Sequence, residues 1–573
     1  MRNRMNRLSY KLPVALEQAL NSALDEWQME GKLARLWERD ASLWSNSDEA
    51  DWLGWLDVAA KSLVQSAELE SFARELAARD IRQVVLLGMG GSSMAPEVIS
   101  ESFGQQPGFP ELIVLDSTDP GQVGAVEDAT DPAQTAFVVA SKSGSSLEPN
   151  ILMAFFLQRL TEALGAEQAA QHFIAITDPG TSLDKRARDD GFLQVFNGEP
   201  DIGGRFSALS VFGIVPAAIC GIDCRRFLDE AVQMMAACES TRELKDNPGV
   251  LLGSILGTAA QAGCDKLTII ASPPLASMGA WLEQLVAEST GKQGKGIIPV
   301  DGESLAATDR YGSDRLFVYF CLEGETDPAQ EQAVAALEQA GQPVVRINLA
   351  DRYALGQEFF RWELATAVAG SLMAVNPFDQ PDVEASKVEA RRITDAYEST
   401  GHLLPQTPLA TDGQLSLFTD ERNAAALAAL ADGDGVDDWL KAHFSRIGAG
   451  DYVALLAYLD RNESNAAGLQ QLRDIAGKGG EAASCLGFGP RFLHSTGQAY
   501  KGGPNSGVFL QITADAARDI QVPGRGYSFG IVEAAQAQGD LDVLAERGRR
   551  VLRVHLGQDV STGLAQLCRL LTE

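Results

Sequence analysis

The sequence predicts an α/β protein, built from successive three-layer α/β/α units with mainly parallel sheets behind an N-terminal helical segment. Two observations carry this. From Val84 onward, short β-branched and apolar runs alternate with longer amphipathic stretches, the pattern of a parallel sheet with helices on both faces. The chain is also 573 residues long, enough for about two to four domains of ordinary size, so several such units can each bury a core.

Residues 1–80 are expected to be helical and to serve as a packing layer. Trp27, Leu33, Leu36 and Trp37 fall on one apolar stripe, and Trp44, Trp52 and Trp55 follow it. A first unit, 81–245, carries strand-like runs at 84–87, 112–115, 137–140 and 173–177. A second, 246–400, carries them at 267–272, 316–320 and 344–349. Beyond a Gly, Asp and Ala-rich stretch near 405–450, runs at 452–459, 508–513 and 551–556 assign a third α/β unit to 401–573. These last runs are short enough to fit buried helix pieces as well as strands.

Composition narrows the function. With 45% hydrophobic and 22% charged residues the chain has the balance of an ordinary globular enzyme. A formal net charge of −31 repels nucleic acids and anionic membrane surfaces, so no nucleic-acid partner is expected, and an anionic ligand would need a local island of cations and N–H donors. No stretch reaches the ~18–20 apolar residues of a membrane span and the basic N-terminus lacks a signal peptide's apolar core, which predicts a cytoplasmic protein without a membrane partner. Seven scattered Cys without a CxxC read as reduced thiols, and five His without local pairing argue against a metal site.

Five segments carry candidate chemistry. GMGGSSMAPEV, 88–98, closes the first strand with Gly88, Gly90, Gly91, Ser92 and Ser93, which lets a ligand approach the backbone at a helix start. A tight turn without a ligand fits as well, and the spacing is not the dinucleotide fingerprint. ASKSGSSLEPN, 140–150, gathers Ser141, Lys142, Ser143, Ser145 and Ser146 ahead of a helix. Capping needs one hydroxyl, whereas four hydroxyls with an ammonium suit a phosphate monoester. IGGRFSALSVFG, 202–213, presents Arg205 either to an oxyanion or to a helix end.

A helix expected over about 275–290 places Glu288 seven residues after Trp281 and three after Leu285, on the apolar stripe. A desolvated carboxylate at the negative end of a helix dipole suits a general base, while a frayed end would leave Glu288 solvated. NPFDQPDVEASK, 376–387, opens a helix on which Gln380 and Lys387, seven apart, share a face, although most helical lysines are simply solvated.

Taken together these segments resemble the glucose-6-phosphate isomerase family, built on sugar isomerase (SIS) domains. GMGGSS, SKSGSSLE, GGRFS, AESTGK and FDQPDVEASK occur in that order over about 300 residues. RFLHSTGQAYKGGPNSGVFLQIT, 491–513, further resembles the isomerase part of bacterial transaldolase and isomerase fusions, and the N-terminal helical stretch looks like their join region. The resemblance implies Ser141, Lys142, Ser143 and Ser146 as phosphate holders and Ser92, with Gly91, as sugar contacts. It implies Arg205 as the stabiliser of an enediol, Glu288 as the base moving a proton between C2 and C1, and Lys387 with Gln380 near the ring oxygen.

Asp382 and Ser386 stand where the family usually has Gly, and Tyr311 stands where its ring-opening His is expected. LHSTGQ, 493–498, resembles the stretch carrying that His in some relatives, which makes His494 a candidate from the third unit, with Tyr311 and Lys387 as the other candidates for ring opening. In the family that His comes from a neighbouring subunit, so a third unit could replace the partner; monomer and homodimer both stay open.

The function implied is aldose-ketose isomerisation of glucose 6-phosphate and fructose 6-phosphate without a metal or organic cofactor, the only partner being the small sugar phosphate. A sugar-phosphate-binding regulatory protein would keep the Ser141 loop but would not need Glu288, Arg205 and Lys387 together. Mannose 6-phosphate, whose C2 epimer shares the enediol, stays open as a further substrate. A transaldolase would need a (β/α)₈ barrel of ~250 residues, for which the sheet units leave no room.

Overall fold

In the computed structural model of the protein, residues 8–239 and 243–572 are described. Three sheets organise them. The first has strand order Glu111–Leu115, Gln83–Gly88, Thr135–Ala140, Phe173–Thr177 and Gln194–Asn197, all parallel. The chain leaves Gln83–Gly88 toward one edge and returns on its other side as Thr135–Ala140. The strand order therefore reverses between these two, which is where open α/β sheets bind ligands. Gly88 and Ala140 are paired in register, so the Gly-rich and Ser-rich loops leave the sheet side by side.

The second sheet runs Leu8–Lys11, Val344–Leu349, Arg315–Leu322, Lys266–Ala271 and Ile298–Val300, parallel except for its first strand. That strand qualifies the reading of 1–80 as helical. Helices Val14–Met29, Lys32–Trp37 and Trp55–Ala77 are present, but residues 8–11 close the edge of the second sheet, too short a run to announce itself by periodicity. Trp27, Leu33, Leu36 and Trp55 are buried in one continuous core shared by the N-terminal helices and the facing sides of the first two sheets.

The third sheet, six strands in the order Ala410–Asp412, Leu415–Phe418, Arg550–His555, Gly507–Thr513, Tyr452–Tyr458 and Ala483–Phe488, shows that the late apolar runs are strands. Leu415–Phe418 pairs antiparallel with both its neighbours, Ala410–Asp412 and Arg550–His555, and the remaining four strands pair in parallel. Its unit docks on both others. Ile520, Val522, Tyr527, Phe529 and Val532 complete the outer core of the first sheet, while Tyr452, Phe492, Tyr500 and Phe509 pack with Ala287, Ile298 and Val300 of the second. Among the described residues no helix is long and apolar enough to cross a membrane.

Candidate active site

The glycine loop is where the three units meet. Gly90 has φ +55°, and a Cβ there would fall 2.6 Å from Gln284 Nε2 of the second unit and 2.9 Å from the His494 carbonyl of the third. A Cβ on Gly91 would fall 1.9 Å from the Gly204 carbonyl, so GMGGSS and GGRFS touch backbone to backbone and only glycine fits between them. Ser92, in the single turn Gly90–Ser92, is buried beside this contact.

The neighbouring serine loop is a set of donors at a helix start. Ser146 is the N-cap of Leu147–Leu164 yet makes no side-chain cap bond, and Ser141 Oγ is buried without a partner among the described residues. Ser143 Oγ accepts from the Ser145 amide at 3.3 Å and hydroxyl at 3.1 Å. The loop is braced from behind, where Asn150 Nδ2 donates to the carbonyls of Gly144 and Ser146 and Ser182 Oγ donates to Gly144. Lys142 differs from the sequence expectation. Its ammonium donates to both Asp178 oxygens and to the Glu199 carbonyl, each at 2.7 Å, and so serves as an anchor under the loop instead of a cation facing an anion. Burial lowers its pKa, and Asp178 holds the charge in place.

Glu288 lies on the expected apolar side, 7% exposed, but the helix around it is not continuous. Met278–Leu282 gives way to a π turn, Glu283–Ala287, before Glu288–Thr290. Such wide turns concentrate at functional sites. Here it sets Gln284 Nε2 to bridge Glu288 Oε2 at 3.3 Å and the His494 carbonyl at 2.9 Å. Arg205 Nη1 stands 3.4 Å from Glu288 Oε1 and donates to Gln380 Oε1 at 2.9 Å. Its Nε donates to Ser289 Oγ, and Nη2 to the carbonyls of Pro377 and Asp379.

One buried guanidinium thus ties the Glu288 segment to the FDQ turn; burial pulls its pKa down and the charges of Glu288 and Asp379 pull it back up. Lys292, the last residue of AESTGK, is a second tie, with its ammonium on the carbonyls of Asn376 and Asp379 and 2.7 Å from Asp379 Oδ1. Burial, and then the Arg205 charge, lower it to about 7.

From the third unit, His494 Nε2 reaches Glu148 Oε1 at 3.1 Å in the first turn behind the serine loop. Burial pushes the Glu148 carboxyl upward, but the charge and hydrogen bond of His494, its own backbone amide and the charge of Lys387 hold it down at about 2. Lys387, half-buried, ion-pairs with Glu384 at 3.6 Å while its charge reaches Glu148. Tyr311, a candidate for ring opening, belongs elsewhere. Its ring packs edge-on against Phe317 in a separate core on the second sheet, and its hydroxyl accepts from the Ala306 amide at 2.8 Å.

Residues 60–305 match the family described as phosphoglucose isomerase. A glucose-6-phosphate isomerase from Parabacteroides distasonis is 27% identical over 423 residues, covering 65% of this chain and 93% of that protein. Over these residues the chain is similar to that family and to its curated members. A glucose-6-phosphate isomerase from Rubrobacter xylanophilus is 29% identical over 354 residues, covering 53% of this chain and 80% of its own. Among solved structures, a hypothetical protein from Thermus thermophilus superposes with TM-score 0.58 at 26% identity, over 67% of this chain and 99% of that one. A glucose-6-phosphate isomerase from Chlamydia trachomatis shares the fold, with TM-score 0.58 at 21% identity over 68% and 88% of the two chains.

The stretch matched by the phosphoglucose isomerase family holds Ser92, the serine loop, Arg205 and Glu288, while Gln380, Lys387 and His494 lie beyond residue 305. Sequence reasoning passed over Glu148, Gln284, Lys292, Gln498 and Gln536. The first four sit inside or four residues from the motifs, so adjacency was an available signal. Gln536, on the helix Phe529–Glu546, has none.

Proposed function

We propose that this chain interconverts glucose 6-phosphate and fructose 6-phosphate through a cis-enediol, with Glu288 as the proton carrier. The observation that carries the reading is the convergence, from three units, of the buried Glu288–Arg205 pair and the His494–Glu148 pair next to the serine loop. The names of the curated relatives support the same reaction.

In this reading the hydroxyls of Ser141, Ser143 and Ser146 and the open N–H groups of Leu147–Leu164 hold the phosphate, with Lys142 supporting the loop from below. His494, paired with Glu148, and Lys387 serve the ring oxygen as the pyranose opens. Glu288 takes the C2 proton of the open aldose and the electron pair passes through C1 to its carbonyl oxygen. Arg205, its charge fixed beside that site, stabilises the oxyanion. The O2 hydroxyl proton passes to O1, and return of the carbon-bound proton from Glu288 to C1 as O2 becomes the carbonyl gives the ketose. Only proton transfers are needed, and Gln380 and Ser92 orient the sugar.

Because His494 comes from the same chain as Glu288, one chain holds every group named, and a monomer suffices. Unpaired thiols throughout suit the cytoplasm. The test is exchange of solvent deuterium into fructose 6-phosphate at C1, with Glu288→Gln lowering kcat by ~10²–10⁴ at little change in affinity. A protein that binds sugar phosphates without exchanging the proton would refute the enzyme reading.

A further inference from the structure

The His494–Glu148 pair does not stand alone. Thr118, buried just beyond the strand Glu111–Leu115, donates its hydroxyl to Gln536 Oε1 at 2.6 Å. Gln536, 3% exposed, donates Nε2 to Glu148 Oε1 at 2.7 Å, the same oxygen that His494 Nε2 reaches. A carboxylate only accepts, and the Thr118 hydroxyl is spent on the amide oxygen, so the amide can face in one direction only. The helix carrying Gln536 is held at that point, where Tyr458 Oη donates to the Gln536 carbonyl at 3.4 Å.

We propose that Gln536 is a positioning residue for ring opening: through Glu148 it fixes the orientation of His494, so the third unit supplies both the imidazole and the amide that aims it. This rests on the reading of His494 as the ring-opening group. The physical reason is geometric. Glu148 is buried and shares one oxygen between two donors, and removing one lets the carboxylate rotate about its own side chain and carry the imidazole with it. Burial of Glu148 next to His494 and Lys387 also makes an ionised carboxylate the partner that Gln536 must satisfy.

The experiment compares turnover of cyclic glucose 6-phosphate with that of an aldose phosphate too short to cyclise, such as erythrose 4-phosphate. Gln536→Met is expected to lower kcat on the cyclic sugar about tenfold, the scale of one hydrogen bond to a charged group, and to leave open-chain turnover within about twofold. Gln536→Glu keeps the shape but donates only while protonated, so its cyclic turnover should recover toward wild type as pH falls from 8 to about 5. Equal losses on both substrates, or unchanged cyclic turnover in Gln536→Met, would overturn the proposal. His494→Asn separates the two layers. If it selectively abolishes cyclic turnover while the Gln536 variants do not, this inference fails alone, and if it leaves cyclic turnover intact, the assignment of His494 falls and the inference with it.

Discussion

Lys142 and Ser141 sit next to each other and are used in opposite ways. The ammonium, the obvious anion ligand in the sequence, is consumed by Asp178 and the Glu199 carbonyl, whereas the Ser141 hydroxyl is buried with no partner among the described residues. An unpartnered buried hydroxyl costs about 1–3 kcal/mol unless a ligand satisfies it. The Ser141→Ala/Ser146→Ala pair is therefore expected to raise KM for glucose 6-phosphate about 10–100-fold with kcat nearly unchanged, since a non-reacting phosphate is held equally in ground and transition states. Inhibition by a phosphorylated sugar acid should weaken in parallel, and inhibition as tight as wild type would place the phosphate elsewhere. Thermal stability should hold or rise, because the substitution removes an unsatisfied group.

Two elements carry most of the positioning. In the π turn Glu283–Ala287, Gln284 contacts Glu288 four residues on, as helical spacing allows, and also the His494 carbonyl of the third unit, which a helix over 275–290 would not foretell. The glycine loop Gly90–Ser92 lies in the opposite wall, pressed against Gly204. Gly91→Ala places a methyl 1.9 Å from the Gly204 carbonyl and must push Arg205 away from Glu288. Overpacking of this kind costs ~1–3 kcal/mol, so a lower melting temperature is expected together with a fall in kcat of at least about tenfold. Wild-type kcat in the folded variant would show that the close approach of the two loops does not matter for the reaction.

Asp382 acquires its meaning at the same scale. Gln498 Oε1 accepts from the amides of Asp382 and Val383, its Nε2 donates to the Gly291 carbonyl and to Asp382 Oδ2, and Arg547 pairs with Asp382 Oδ1 at 2.9 Å. The helix Pro381–Thr400 is thereby bound at its start to the third unit.

Across the whole molecule the docking of the third unit rests on buried charge as well as apolar surface. Arg491 donates to Glu97 and to Asp116 Oδ2, Arg461 donates to Glu97 Oε1 at 2.8 Å, and Ser93 Oγ completes Asp116 at 3.0 Å. Burial raises the Glu97 carboxyl, but the two guanidinium charges more than reverse this and hold it well below its usual range. A carboxylate lowered on folding contributes stability that is complete above its unfolded value, 4.5, and is lost as pH falls below it.

Glu97→Gln leaves Arg491 partly uncompensated, and an expected loss of about 3–5 kcal/mol at pH 7 should shrink toward zero as the comparison moves below pH 4.5. Asp119, raised to about 6 by burial, works in the opposite sense, its penalty growing as pH rises from 3.8. Calorimetry of both proteins across pH 3–7 isolates the Glu97 contribution, and a difference that stays constant with pH would sink it.

Local pattern determined a great deal of this protein. The strands at 84–87, 137–140, 267–272, 452–459 and 508–513 are legible because buried parallel strands are continuous β-branched runs, and the loops that follow them are legible because close approach demands glycine and anion binding demands hydroxyls. The short strands Leu8–Lys11, Ile298–Val300 and Ala410–Asp412 escape, being too brief for a period to show. The fate of each charge lay outside local reach. Lys142 turning to Asp178, His494 meeting Glu148 and Gln536 completing that pair are contacts between residues 36 to 388 positions apart. A side chain's polar partner is chosen by which groups burial brings within about 3 Å, and that is a property of packing among the three sheets that no spacing along the chain encodes.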